Sequence, residues 1–92
     1  MRKKKMRELI EWFLYFYGCS VLDFQYNKKS LSTMALTIKD KNNRQLDFYV
    51  YKGNVCTIDR DIINSDDYNC LEDDFNLIAL ICGVIKYLYN DF

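Results

Sequence analysis

Met6, Leu9, Ile10, Phe13, Phe16 and Tyr17 recur three and four positions apart. That is the period of one helix face, and Gly18 follows as a natural left-handed stop, so a helix is predicted over about 3–17. Its opposite face carries Lys4, Glu8, Glu11 and Tyr15, with Lys4/Glu8 and Arg7/Glu11 four apart, and reads as a solvated surface. From Ser20 the period falls to two. Leu22, Phe24 and Tyr26 alternate with Val21, Asp23 and Gln25; Met34, Leu36 and Ile38 with Thr33, Ala35 and Thr37; Leu46, Phe48 and Val50 with Asp47, Tyr49 and Tyr51. Strands are predicted over about 20–27, 31–39, 45–52 and 55–59.

Residues facing each other across antiparallel strands lie on the same side of the sheet. Three-residue turns at Lys28 to Ser30 and Lys41 to Asn43 would set Phe24 opposite Met34 and Leu36 opposite Phe48, so the apolar stripes agree. A two-residue turn at Gly53-Asn54 would bring Val55 and Thr57 to the core side. The second sheet face would then hold Val21, Ala35, Tyr49, Tyr51, Cys56 and Ile58, more apolar than a solvated face requires. Either the final helix or the segment before it covers this face, or the face binds a partner.

Residues 59–69 are rich in acids and read as a loop. Asn69 with Glu72 three positions later closes a helix start, and Glu72, Asp73 and Asp74 suit the positive end of the dipole. A helix is predicted over about 70–89. Leu71, Phe75, Ile78, Ile81, Ile85 and Leu88 form its main stripe, which Leu77, Leu80, Val84 and Tyr87 widen nearly all round. Such a helix is normally enclosed. Ala79 and Gly83 leave a flat strip for close approach, either by the chain's own sheet or by a second copy in a homodimer. The expected architecture is a single α+β domain over 1–92: an antiparallel three- to four-stranded β-meander flanked by an N-terminal and a C-terminal α-helix, in the order α-β-β-β-β-α.

Composition narrows the chemistry. With 92 residues, half of them apolar, the chain has room for one core and enough burial to offset chain entropy. There is no histidine, so acid or base catalysis would fall to carboxylates, a lysine or a tyrosine, and none stands in a recognisable constellation. Cys19, Cys56, Cys70 and Cys82 lack the paired spacing of a zinc site and read as buried thiols of a reducing compartment. Asp59-Arg60-Asp61 and Asp66-Asp67 lack the turn glycine and closing glutamate of a calcium loop. Neither a metal nor a cofactor is expected. The basic start, Arg2 to Lys5, is followed by Arg7, Glu8 and Glu11 rather than a clean apolar stretch, and the run Leu77 to Ile85 is too short to span a bilayer. The expected location is the cytoplasm, without membrane attachment.

The formal net charge of zero conceals a division. Residues 1–54 hold 11 basic and 5 acidic residues, a net +6; residues 55–92 hold 2 and 8, a net −6. A helix antiparallel to the first strand would gather Arg2, Lys3, Lys4, Lys5, Lys28, Lys29 and Lys52 at one end, with Asp59 to Asp74 starting from the other. The basic end is a candidate phosphate-binding surface. The acidic segment, Asp59, Asp61, Asp66, Asp67, Glu72, Asp73 and Asp74, is a candidate docking surface for a basic protein partner. The sheet-face residues Tyr49, Tyr51 and Ile58 would add contact area.

No motif assigns the chain to a family. In size and in the order helix, antiparallel strands, helix, it resembles several phage-encoded inhibitors, including small anti-CRISPR proteins, which block nucleic-acid enzymes with acidic surfaces. That resemblance implies an inhibitor or adaptor of a phage or mobile element acting on a host or defence protein. The expectation is therefore a non-catalytic protein-binding module, with a small nucleic-acid-binding protein using the basic end as the alternative.

Overall fold

A computed structural model of the protein describes residues 2–52, 54–57, 62–65 and 73–90, with side chains left out at 62–65, 73–75 and 90. The elements are α1 (Lys3–Tyr15), β1 (Ser20–Tyr26), β2 (Ser32–Lys39), β3 (Gln45–Tyr51), β4 (Asn54–Thr57), β5 (Ile62–Ser65) and α2 (Asp73–Asn90). The chain is an α+β fold with antiparallel strands in one sheet, preceded by one helix and followed by the other along the sequence. Strand order follows chain order, β1-β2-β3-β4-β5. The fifth strand lies inside the segment expected to be an acidic loop. Ile62 and Ile63 supply β-branched residues that the surrounding acids mask in the sequence, and Ile62 pairs with Cys56 on the open edge of β4.

α1 ends where Gly18 adopts φ +72°, with the Gly18 N–H donating to the Tyr15 carbonyl and the Cys19 N–H to the Leu14 carbonyl. Its buried stripe is Met6, Ile10 and Leu14. Leu9 and Tyr17 pack beside it, but Phe13 and Phe16, expected in the core, are exposed at 40% and 68%. A helix of this length has one face against the sheet. Leu14 takes the place that spacing alone allotted to Phe13 and Phe16.

The turn at Lys41 to Asn43 is as expected, closed by a bond from the Asp40 N–H to the Arg44 carbonyl, and Leu36 faces Phe48. The first hairpin is wider than expected. Phe24 pairs with Leu36 and Tyr26 with Met34, a shift of two residues that preserves which side of the sheet each occupies. The third hairpin turns one residue earlier than expected on each strand, pairing Tyr51 with Asn54 and Val50 with Val55, and Lys52 takes φ +49°. Both shifts are by an even total, so the core face is unchanged. One side chain did move: a bulge between Val21 and Asp23 turns Leu22 outward and puts Val21 opposite Ile38, on the core side rather than the second face.

Both helices cover the same sheet face. Phe24, Leu36, Ile38, Phe48, Val50 and Val55 meet Met6, Ile10 and Leu14 of α1 and Leu77, Leu80 and Val84 of α2 in one core. Gly83 lies over Val55, the Tyr87 ring is 5.5 Å from Phe48, and the Tyr89 ring is 5.5 Å from Tyr17. α2 therefore runs from the Lys52 end of the sheet toward the C-terminal end of α1, in the same sense as α1. The Ala79 and Gly83 strip, a candidate seat for a second copy, is buried against the chain's own sheet. A Cβ built on Gly83 would stand 2.8 Å from Val55 Cγ1 and 3.2 Å from its Cβ.

Gly83→Ala is accordingly expected to destabilise. The roughly 1 kcal/mol that alanine adds to a helix is outweighed by overpacking of about 1–3 kcal/mol against a stiff, β-branched neighbour. Leu14→Ala should cost about 2–5 kcal/mol, while Phe16→Ala should stay within about 0.5 kcal/mol. Urea unfolding of the three variants checks the assignment, and a larger loss for Phe16→Ala than for Leu14→Ala would contradict it.

Candidate interaction surfaces

The sheet face turned away from the helices carries Tyr49 and Tyr51 two residues apart on β3. Tyr49 sits between Ala35 of β2 and Cys56 of β4, and Tyr51 between Ser32 and Asn54. Ala35 and Tyr51 are exposed, Tyr49 is half-buried and Cys56 is buried. Some of its polar groups pair with one another: the Thr37 hydroxyl donates to Asp47 Oδ1 at 2.6 Å, and Gln25 Nε2 donates to Asp23 Oδ1 at 3.0 Å. Ile58, the third residue expected here, lies outside the described residues.

The basic end is assembled by the topology. Arg2, Lys3, Lys4, Lys5, Lys28, Lys29 and Lys52 are all exposed. Lys3 Nζ donates to Gln25 Oε1 at 3.3 Å, joining the start of α1 to the end of β1, and the Lys52 N–H donates to the Leu31 carbonyl at 3.0 Å, joining the first and third hairpin turns. The Lys52 ammonium stands 5.4 Å from the centre of the Tyr51 ring, so the basic end runs into the tyrosine face.

For Asp73 and Asp74 the expected separation of charges along the molecule is corrected by β5. An extra strand reverses the chain once more, so Ser65 pairs with Asn54 at the Lys52 end. α2 also starts from that end, bringing its first residues, Asp73 and Asp74, to the side of the cations rather than opposite them. Asp59, Asp61, Asp66, Asp67 and Glu72 lie outside the described residues, and the side chains of Asp73 and Asp74 are likewise not described.

A third surface was not singled out from the sequence. Trp12, Phe13, Tyr15 and Phe16 are all exposed on α1, their rings in edge contacts with centroids 5.1 Å (Trp12 to Phe13), 5.3 Å (Trp12 to Phe16) and 6.2 Å (Tyr15 to Phe16) apart. The signal was present. The run from Trp12 to Tyr17 is six consecutive apolar or aromatic residues, more than one face can bury, and the surplus turns to water.

A cleft of about 640 Å³ opens where the C-terminal ends of both helices meet the β2–β3 turn, lined by Phe16, Tyr17, Cys19, Asp40, Arg44 and Tyr89. Its buried carboxylate is structural. Asp40 Oδ1 accepts the backbone N–H groups of Asn42 and Arg44, both at 2.9 Å, and Oδ2 accepts Arg44 Nε at 2.8 Å. The Arg44 backbone bond leads in holding the Asp40 pKa below the ordinary carboxylate value, outweighing the upward push of burial, with the Arg44 side chain and the Asn42 N–H adding to it. The carboxylate thereby fixes a turn in which Asn43 takes φ +66°.

Burial raises the Cys19 thiol pKa, with Asp40 adding to the effect and Lys41 opposing it, and burial alone raises that of Cys56. Each remains a protonated thiol resting on a nearby carbonyl, Tyr17 for Cys19 and Asn54 for Cys56, both at 3.7 Å. Among the described residues no three potential metal ligands stand close enough to share an ion, and no described helix is long and apolar enough to cross a membrane. Comparison of the chain with family profiles, curated proteins and solved structures returned no match.

A lowered Asp40 pKa predicts the sign of a pH effect. The Asp40 contribution is complete above the unfolded carboxylate value and is lost as pH falls through the lowered folded value. Asp40→Asn should therefore be less stable than the parent at neutral pH, with the gap closing in acid. Denaturant titrations across that range test this, and a gap independent of pH would remove the assigned role.

Proposed function

We propose that this protein is a non-catalytic protein-binding module whose contact surface is the open sheet face around Tyr49 and Tyr51. The observation that carries the reading is the placement of α1 and α2 on the same side of the sheet, which leaves two adjacent tyrosines and Ala35 on a face that neither helix covers. Tyrosine suits such a surface because it offers a large apolar ring with a polar tip and few rotamers to immobilise. The groups with perturbed pKa values support a binding rather than a catalytic role, since Asp40 holds a turn and Cys19 and Cys56 are protonated by burial. The acidic residues between Thr57 and α2 would extend the contact toward a basic partner. The resemblance in element order to phage-encoded inhibitors makes a host or defence protein in the cytoplasm the partner class to test.

The test uses a partner captured from host extract, identified and purified, with affinity then measured by calorimetry. Tyr49→Ser with Tyr51→Ser should weaken binding at least about tenfold, the loss typical of a contact centre, while leaving the thermal midpoint near that of the parent. Unchanged affinity would remove the sheet face from the reading.

The gathering of seven cations at one end supports a second reading, contact with nucleic-acid phosphates. Binding of labelled single-stranded DNA or RNA that falls steeply with added salt, and disappears when Lys3, Lys4, Lys28 and Lys29 are changed to Gln, would favour it. Binding that is weak and indifferent to those changes would discard it.

A further inference from the structure

We infer that the outward side of the helical layer is the interface of a homodimer, formed by two copies packed face to face with their α1 helices antiparallel. The contact is separate from the tyrosine face and leaves that face free on both outer sides of the assembly.

The first observation is the outward stripe itself. On α1, Trp12, Tyr15 and Phe16 point away from the buried line of Met6, Ile10 and Leu14. On α2, Ile78, Cys82 and Tyr89 are exposed at spacings of four and seven, with half-buried Ile85 between them, opposite the buried line of Leu77, Leu80 and Val84. Both helices thus present a second apolar line at the spacing that packs against another helix. The Tyr17 to Tyr89 contact and the shared sheet face hold the two lines side by side.

Area selects the kind of partner. An aromatic side chain offers roughly 150–250 Å², so the exposed fractions of Trp12, Phe13, Tyr15 and Phe16 leave on the order of 500 Å² of ring surface in water. Ile78 and Tyr89 bring the layer to about 700 Å². Summed over the layer, this approaches the ~800 Å² that each partner contributes to a stable interface.

Charge selects a second copy in an antiparallel sense. α1 has cations and no acid at its N-terminal turn, where the dipole is already positive, and its exposed rings lie toward the other end. A single copy leaves the N-terminal turn mismatched. Antiparallel pairing about the middle of α1 brings Arg2 and Lys5 of each copy toward the aromatic rings of the other, with Lys5 near Trp12. This adds cation–π contacts and keeps the two basic ends apart.

Trp12 is the only tryptophan in the chain, so its emission reports on this surface directly. Sedimentation velocity and fluorescence over about 1–200 µM protein, a range bracketing micromolar association, should show a monomer–dimer equilibrium with emission moving to shorter wavelength in step. Alkylation of exposed Cys82 should slow over the same range. Phe16→Glu with Ile78→Glu should weaken association at least about 100-fold while keeping the parent's circular dichroism. In a Cys82→Ser background, Glu8→Cys, near the centre of α1, should cross-link to itself, and Tyr15→Cys, near its end, should not. A monomer at the highest concentration, dimerisation without a change in Trp12 emission, or a change produced only by RNA or anionic vesicles would each overturn the inference. Cross-linking through Tyr15→Cys in place of Glu8→Cys would overturn the antiparallel arrangement.

Discussion

Phe24, Leu36 and Phe48 face one another across three strands, and the rest of the molecule is arranged to keep that row dry. Each is essentially inaccessible to water, and each is held on the same side of the sheet by the two-residue period of its strand. Because the row occupies one face only, the helices have one place to bury their apolar lines. Met6, Ile10 and Leu14 close the β1 side, and Leu80 and Val84 close the side of β3 and β4, where Gly83 lets the α2 backbone settle onto Val55.

A one-sided core leaves two broad surfaces in contact with water. On the outer sheet face some polar groups pair with one another, Thr37 with Asp47 and Gln25 with Asp23, which leaves the rings of Tyr49 and Tyr51 as its distinctive feature. On the outer side of the helices the balance is reversed, for Trp12, Phe16, Ile78 and Tyr89 are all exposed. Recognition by the tyrosine face and self-association by the helices are compatible because they use opposite sides. A face-to-face dimer would display two tyrosine surfaces and two basic ends, so any partner with repeated sites would gain from their linkage.

Charge follows the topology rather than the linear sequence. The cations of the first half come together because α1 and β1 run in opposite directions and because the Lys52 N–H bonds the Leu31 carbonyl across two turns. Asp73 and Asp74, at the start of α2, do not lie at the opposite end. β5 reverses the chain and α2 returns from the Lys52 end, so the first residues of α2 start from the side of the cations. The Lys52 ammonium beside the Tyr51 ring gives that end both positive charge and aromatic surface.

Residue order alone determined the class of fold, because periods of two and of three to four are local properties that survive errors in turn length. The first and third hairpins are each displaced from their expected register, yet Phe24, Met34, Leu36, Phe48, Val50 and Val55 all stay on the core side, since an even shift preserves facing. Gly18 and the Lys41 to Asn43 turn were likewise legible, each needing a particular backbone conformation that few residues supply. Tertiary structure decided what local pattern leaves open. Which of Leu14, Phe13 and Phe16 is buried depends on the direction in which α1 faces the sheet, and whether Val21 or Leu22 enters the core depends on a bulge. Whether the Ala79 and Gly83 strip is free depends on Val55, and the end from which α2 starts depends on one additional strand that pairs with the edge of β4. These are choices among faces of elements that the chain already encodes, and only packing between elements carries the energy to make them.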